Sequence, residues 1–426
     1  MKRYILPFFL FLAVSCDKDG SGSDLPEPAD EPVVYESLQA GSAKRGVSFN
    51  FAQLAEYDFP LLGDAVSWYY DWSSNVPSDV VLAYMDEYGI DFCPMIWNGN
   101  YNPDNIRTYK QNCPEAQYIL AFNEPNLTDQ ANMTPAQAAE YWPDIVALAD
   151  ELGMQLISPA MNYGTLDGYS DPWVWMDEFL QQPGVSLDDI DGIAVHCYMN
   201  TVSALRNYIE GFKKYGKPIW LTEFCATTGV SISAQTQMNF MVEAINYLES
   251  DEDVFRYAWF IPRGGPLGNI NNELLTDRVP IELTDIGEVF VNMSTQDKDL
   301  YYEAGTVIPA EHYSSVSGAV HLRPVTDVSG ILELYDLKEN TWVEYQVEIP
   351  SAGTYTLEYR YSTSYDTAMT LNVGEESVTL DLPDTDNVWT TGSAVVDLPA
   401  GRQTVRLAGT DAWSISLNWL RLVQQQ

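Results

Sequence analysis

From Arg45 to about residue 262 the chain repeats one unit: a short apolar stretch, a loop, and an amphipathic stretch with helical spacing. Eight apolar stretches read as strands: 46–50, 65–72, 91–97, 118–124, 156–162, 192–198, 218–224 and 256–262. The stretches between them carry helix signals. Residues 78–88 begin at Ser78. Residues 134–152 open with Thr134-Pro135 and stop at Gly153, 203–215 stops at Gly216, and 233–248 has the same character. The first gap holds Pro60 and Gly63, so its helix is expected to shrink to a turn. Eight strands alternating with helices over about 250 residues predict an α/β fold, a (β/α)8 barrel.

In such a barrel the loops at the C-terminal strand ends converge on one mouth. Strand four runs into Asn123-Glu124-Pro125, and Pro125 cannot extend the ladder. Strand seven ends in Leu221-Thr222-Glu223-Phe224. A carboxylate at the end of a buried apolar strand is costly unless it is paired or used. Two at matching positions fit the acid pair that glycosidic bond cleavage requires. Asn123 is placed to bond a sugar hydroxyl. His196 and Tyr198 share a face of strand six, and the Tyr198 hydroxyl can hold the Glu223 carboxylate. Trp68, Tyr70 and Trp72 on strand two, Trp97 after strand three and Trp259 on strand eight are the candidate walls of a sugar-stacking cleft.

After Met293-Ser294 the helical stretches cease. Residues 342–349, 353–361, 369–373, 377–382 and 401–407 alternate with Gly, Asp, Asn and Pro turns, which predicts a β-sandwich. Domains are therefore expected at 44–296 for the barrel and 297–426 for the sandwich. Ahead of them, Lys2, Arg3 and the apolar run 5–14 have the form of a secretory signal over 1–15. That run is too short to span a bilayer. Residues 16–43 are acidic, poor in apolar side chains, and expected to form an extended tether. Cys93, Cys113, Cys197 and Cys225 fit no zinc spacing and are expected to be structural thiols, their redox state open.

A formal net charge of −40 excludes nucleic acid and an anionic membrane surface as partners, and disfavours an acidic polysaccharide. A neutral glycan remains. Twenty-seven Tyr and twelve Trp supply rings enough to stack on one. No cofactor is expected for catalysis, and a monomer is expected.

Resemblances to known families and signals extend this reading. Ala13-Val14-Ser15-Cys16 resembles a lipoprotein box, with Ala13 where Leu is usual; it implies lipidation of Cys16. Asp17-Lys18-Asp19 is similar to the export signals of Bacteroidetes surface lipoproteins, implying the outer face of the outer membrane. Asn123-Glu124 and Glu223 resemble the retaining (β/α)8 glycoside hydrolases, where the strand-four Glu is the acid/base and the strand-seven Glu the nucleophile. With Arg45-Gly46-Val47-Ser48, Trp68-Tyr69-Tyr70-Asp71-Trp72, His196-Cys197-Tyr198 and Tyr257-Ala258-Trp259-Phe260, the barrel looks most like glycoside hydrolase family 128, endo-acting β-1,3-glucanases. Position 71 departs from that family, which more often has Asn. The nearby charge and burial are expected to raise the pKa of Glu124. Mannan, xylan or non-catalytic glycan capture are the alternatives.

The C-terminal region, with Pro309-Ala310-Glu311-His312-Tyr313 and Leu417-Asn418-Trp419-Leu420, resembles a family 6 carbohydrate-binding module. The resemblance implies Asn418 as a sugar ligand, Tyr335 and Trp389 as stacking rings, and Glu311 as a ligand of structural calcium. A spacer role is the alternative.

Overall fold

The structure is a computed structural model that describes residues 39–227, 231–264, 268–374 and 376–425. The signal, Cys16 and most of the tether lie outside the described residues.

The eight strands form in the predicted order: β1 (Arg45–Ser48), β2 (Trp68–Tyr70), β3 (Asp91–Phe92), β4 (Tyr118–Leu120), β5 (Gln155–Ile157), β6 (Ile193–Cys197), β7 (Ile219–Phe224) and β8 (Val254–Trp259). All their pairings are parallel. Single bridges, Met95–Leu120 and Ile157–Gly192, join β4 and β5 to their neighbours and close the ring. The helices are α1 (Ala55–Leu62), α2 (Asp79–Tyr88), α3 (Pro103–Asn112), α4 (Pro135–Leu152), α5 (Pro172–Phe179), α6 (Val202–Phe212), α7 (Ala234–Ser250) and α8 (Asp285–Asn292). Thr134 and Gln137 form a full capping box on α4, and Gly153 ends it in the left-handed region.

Helix α1 corrects one expectation. The segment is eight helical residues rather than a turn, and Pro60 sits inside it. Phe59 and Leu62 are fully buried, and Asp58 pairs with Arg263. Tertiary burial thus outweighs the missing N–H.

The barrel lumen is unusually aromatic. Trp68 and Trp220 meet edge to face at 5.4 Å. Two glycines make room for them: a Cβ on Gly46 would lie 2.5 Å from the Trp68 ring nitrogen, and one on Gly192 would lie 2.6 Å from that of Trp220. At the floor, the Arg256 guanidinium stands 4.8 Å from the Tyr118 ring centroid, 5.3 Å from Trp220 and 5.5 Å from Trp68, and binds Asp91 at 2.7 Å. The positive charge is thereby held on ring faces and one carboxylate.

The remaining strands build the sandwich: β9 (Tyr302–Glu303), β10 (Val307–Pro309), β11 (Ser315–Ser317), β12 (His321–Pro324), β13 (Leu332–Leu337), β14 (Trp342–Ile349), β15 (Gly353–Ser362), β16 (Thr367–Val373), β17 (Glu376–Leu382), β18 (Thr390–Leu398), β19 (Gly401–Gly409) and β20 (Ile415–Gln424). One sheet has the order β12-β13-β20-β15-β18, with β10 on β20; the other runs β11-β14-β19-β16-β17, with β9 on β14. Strand β12 packs on α7 and α8. Across this seam Tyr313 donates to Asn246 at 2.8 Å, and His321 faces Glu243 at 2.9 Å.

Cys93, Cys113, Cys197 and Cys225 are free. Burial pushes the Cys93 and Cys197 thiols up to about 12, which suits inert packing groups.

Candidate active site

Glu124 follows β4 with φ of 44°, in the left-handed region that a side chain rarely adopts. That costs on the order of 1–3 kcal/mol and persists only where neighbours dictate it. Pro125 follows it, and the Asn126 amide ties the loop to the Asn162 carbonyl at 2.6 Å. The twisted backbone turns the Glu124 carboxylate inward, where Asn162 donates to it at 2.8 Å and His196 Nδ1 meets it at 2.9 Å.

Glu223 reaches the same mouth by another device. On β6, Val195 pairs with Leu221 but His196 pairs with Glu223, so Thr222 is an extra residue on β7. The bulge turns Glu223 inward while Phe224 stays in the layer beneath the helices. Tyr70 donates to Glu223 Oε1 at 2.8 Å and Trp72 Nε1 at 2.7 Å; Tyr198 donates to Oε2. Burial and the Glu223 charge push the Tyr70 and Tyr198 phenols well up, so both stay donors. His196 is fully buried, and its Nδ1 also lies 3.3 Å from Glu223.

Ligand atoms of Glu124, His196 and Glu223 all lie within 4.8 Å of one another. They are the one set among the described residues able to hold a metal ion. Three protein donors already occupy Glu223, so the set is also complete without one.

The pKa expectation for Glu124 is corrected. Burial raises it, but the His196 charge and the bonds from His196 and Asn162 outweigh burial, and its carboxyl lies below the ordinary range. Burial lowers His196, yet Glu223 and Glu124 together raise it. The two groups meet across the 2.9 Å contact and titrate as a pair.

A cleft of about 490 Å³ opens over the pair, lined by Trp72, Trp97, Asn123, Glu124, Leu127, Gln130, Asn162, Tyr198, Glu223, Phe260 and Ile261. Asn123 gives its amide N–H to Gln130 at 3.0 Å, and its Oδ1 has no partner among the described residues. Of the expected residues, Trp72, Trp97, Asn123, Tyr198 and both glutamates line the cleft. Tyr70 and His196 lie beneath it.

Two aromatics do not belong to the cleft. Trp68 points inward like Trp72, but four residues of strand place it about 13 Å deeper; it is buried and its indole bonds the Lys44 carbonyl. Trp259 is on the wrong face of β8. Ala258 points into the lumen, so Trp259 points out, against Phe224 at 5.1 Å and bonded to the Asn272 carbonyl. The next residue, Phe260, takes the wall position, edge to face with Tyr198 at 5.5 Å. Sequence reasoning missed Phe260, Asn162, Leu127, Gln130 and Ile261. Strand alternation counted from Ala258 was the signal for Phe260. Asp71 turns away to Ser73 at 2.9 Å, with burial pushing its carboxyl up.

The sandwich residues differ more sharply from expectation. Tyr335 is buried against the barrel, its hydroxyl bonded to Asn239 and Gln235 of α7. Asn418 is fully buried and donates to Asp327 and to the Ser329 carbonyl, each at 2.8 Å. Trp389 gives its N–H to Thr326 at 3.0 Å. Only Tyr335 is taken up by the barrel; Trp389 and Asn418 bond the neighbouring residues Thr326 and Asp327. Glu311 stands in no group of three or more carboxylate, His or Cys ligands among the described residues. Burial pushes its carboxyl up to about 8, so it is mostly neutral at pH 7. Its Oε2 is buried with no hydrogen-bond partner among the described residues, an atom that a cation held with backbone carbonyls would satisfy.

Residues 46–290 match the glycosyl hydrolase catalytic core family, and residues 309–424 match the carbohydrate-binding module family 6. Two solved structures are similar over the barrel. A family 128 (subgroup II) endo-β-1,3-glucanase from Pseudomonas viridiflava is 36% identical, covering 59% of this chain and 98% of its own, with a TM-score of 0.54. Its counterpart from Sorangium cellulosum is 34% identical, covering 58% and 98%, with a TM-score of 0.51. Alkali-sensitive linkage protein 1 of Schizosaccharomyces pombe is 27% identical over 269 residues, which is 59% of this chain; the match spans 45% of that protein's length.

Proposed function

Since the chain belongs to the glycosyl hydrolase catalytic core family, and within it to glycoside hydrolase family 128, we propose that it cleaves internal β-1,3-glucosidic bonds with retention of configuration. One observation carries the retaining reading: oxygens of Glu124 and Glu223 lie within 4.8 Å. Retaining pairs stand about 5–5.5 Å apart, whereas inverting pairs need roughly 6.5–9.5 Å to seat a water. The glycan and the endo mode rest on the two solved relatives.

Glu223, oriented by Tyr70, Trp72 and Tyr198, attacks the anomeric carbon as the bond to the leaving sugar breaks. Glu124 gives that leaving oxygen a proton. In the free protein Glu124 is lowered and His196 raised, which favours the proton on His196 as an imidazolium–carboxylate pair. A neutral sugar filling the cleft removes water, which penalises the two extra charges. The proton then crosses the 2.9 Å contact to Glu124, and the net charge of the His196–Glu124 pair is unchanged. Water enters next, gives its proton to Glu124 and releases the sugar from Glu223. The orphan Oδ1 of Asn123 is placed to accept from a sugar hydroxyl.

The test is hydrolysis of laminarin, xylan and mannan with product sizing, and NMR of the first anomer released. Short β-1,3-oligomers appearing first as the β-anomer are expected. Cleavage of xylan or mannan alone, or an α-anomer first, overturns the reading. A lipid anchor rests on Lys2, Arg3, the apolar run and Cys16, and a surface location on Asp17-Lys18-Asp19; Cys16→Ser is expected to remove the lipid, checked by mass spectrometry.

A further inference from the structure

We propose that Tyr365 and Trp413 form a separate glucan-docking platform on the sandwich. Tyr365 lies in the β15–β16 connection and Trp413 in the β19–β20 connection. Their rings stack at 3.9 Å with 22° between planes, yet Tyr365 remains 49% exposed and Trp413 46%. Among the described residues they are the only exposed aromatic side chains of the sandwich.

The pair is held in place from both loops. The Thr363 hydroxyl shares its one proton between the Tyr365 carbonyl at 3.2 Å and the Ser414 carbonyl at 3.4 Å, so it ties the loops together. The Asp411 carboxylate accepts the Trp413 N–H at 2.9 Å and the Thr367 hydroxyl at 2.8 Å. Exposed carboxylates flank the rings: Asp366, and Asp384, whose N–H bonds Asp366 at 2.9 Å.

This chemistry selects a neutral sugar chain. Ring faces take the C–H face of a pyranose, and the flanking carboxylates accept its hydroxyls. Protein partners need a contiguous patch of about 800 Å² on each side, and here the neighbouring loop adds only Val388 as an exposed large apolar side chain. The chain's net charge repels anionic surfaces and polymers. At the position expected for a sugar, Tyr335 is docked on α7 and Asn418 is buried, whereas the Tyr365–Trp413 pair is open. That the occupant is a β-1,3-glucan rests on the function proposed above.

The test uses the full chain carrying Glu223→Ala, so that polysaccharide is not digested. Sedimentation with insoluble β-1,3-glucan, and Trp fluorescence during titration with soluble laminarin, are compared for this parent and for added Tyr365→Ala, Trp413→Ala and Trp413→Phe. Alanine at either ring is expected to weaken sedimentation roughly tenfold or more; Trp413→Phe is expected to keep sedimentation and lose part of the fluorescence change. In the active background, Tyr365→Ala/Trp413→Ala is expected to leave hydrolysis of short soluble oligomers unchanged and to slow attack on insoluble glucan. Undiminished sedimentation in the alanine variants, or no sedimentation by the parent, overturns the platform. A parent that sediments with xylan or mannan instead, with rings required, keeps the platform and overturns its β-1,3-glucan assignment. An active chain that hydrolyses no β-1,3-glucan overturns the enzymatic reading and leaves the platform to be judged on sedimentation alone.

Discussion

Two histidines in this molecule each stand between two carboxylates, and they are built for opposite purposes. At the barrel mouth, His196 turns one nitrogen, Nδ1, toward both Glu124 and Glu223, at 2.9 and 3.3 Å. Its Nε2 has no partner among the described residues. At the seam with the sandwich, His321 gives each nitrogen its own carboxylate: Nε2 to Glu243 of α7 at 2.9 Å and Nδ1 to Asp336 at 2.8 Å. A proton at the seam has nowhere useful to go, so the arrangement is a clamp. A proton at the mouth has two acceptors on one side, so it can be handed over. The number of residues of each charge is the same in both places; only the geometry distinguishes catalysis from attachment.

The largest expected break in this contrast is Glu223→Ala. It should lower kcat on laminarin by on the order of 10⁴-fold or more, with Tm and glucan sedimentation retained. Next is His196→Asn, which keeps a donor but cannot release a proton. A fall of roughly a hundredfold in kcat/KM is expected, and the alkaline limb of the pH profile should move down toward the ordinary carboxylate range, because the proton reservoir is gone. An unmoved limb would mean that Glu124 holds its own proton. Tyr70→Phe removes one bond to a charged oxygen, worth about 1.5–3 kcal/mol, and should cost roughly ten- to a hundredfold in kcat/KM with little change in fold.

The smallest effect belongs to the seam. The two partners of His321 raise its pKa in the folded protein, although burial acts the other way. Its stabilisation is therefore complete below about 6.5, the ordinary imidazole value, and is lost as pH rises through the raised value. Asp336 is lowered, first by His321, so its share is present above the ordinary carboxylate value and is lost as pH falls through the lowered one. Proteolysis between barrel and sandwich should thus quicken above neutrality, and His321→Gln should flatten that dependence. A change of about 2–4 °C in Tm per kcal/mol is expected for domains of this size, with kcat on short oligomers unaltered.

The barrel mouth was far more legible in the sequence than the sandwich. Glu124 and Glu223 announce themselves because a charge at the end of an apolar strand is costly, and Pro125 marks where the strand stops. Depth and facing are less visible. Trp68 shares its face with Trp72 but not its height, and Trp259 differs from Phe260 by a single step of alternation. Helices α3 and α5 begin with Asn102-Pro103 and Asp171-Pro172, the same cap-and-proline signal as Thr134-Pro135, and were legible from it. In the sandwich, residue types carry over from a resemblance, but what they pack against does not. Tyr335 has the ring a sugar would want, and a helix of the barrel occupies it.

Thr222 gives the nucleophile an address that depends on counting. Nothing chemical about that residue aims Glu223; its hydroxyl reaches only the Val195 carbonyl. What aims Glu223 is that β7 spends two residues where β6 spends one. Were Thr222 to pair with His196 instead of standing extra, Glu223 and Phe224 would exchange outlooks, sending the acid toward the helices and a phenyl ring into the mouth. Conservative substitutions at Thr222 should therefore be harmless, and its deletion should restore one-to-one pairing with Glu223 still opposite His196, so what this part of the chain holds fixed is register rather than spelling.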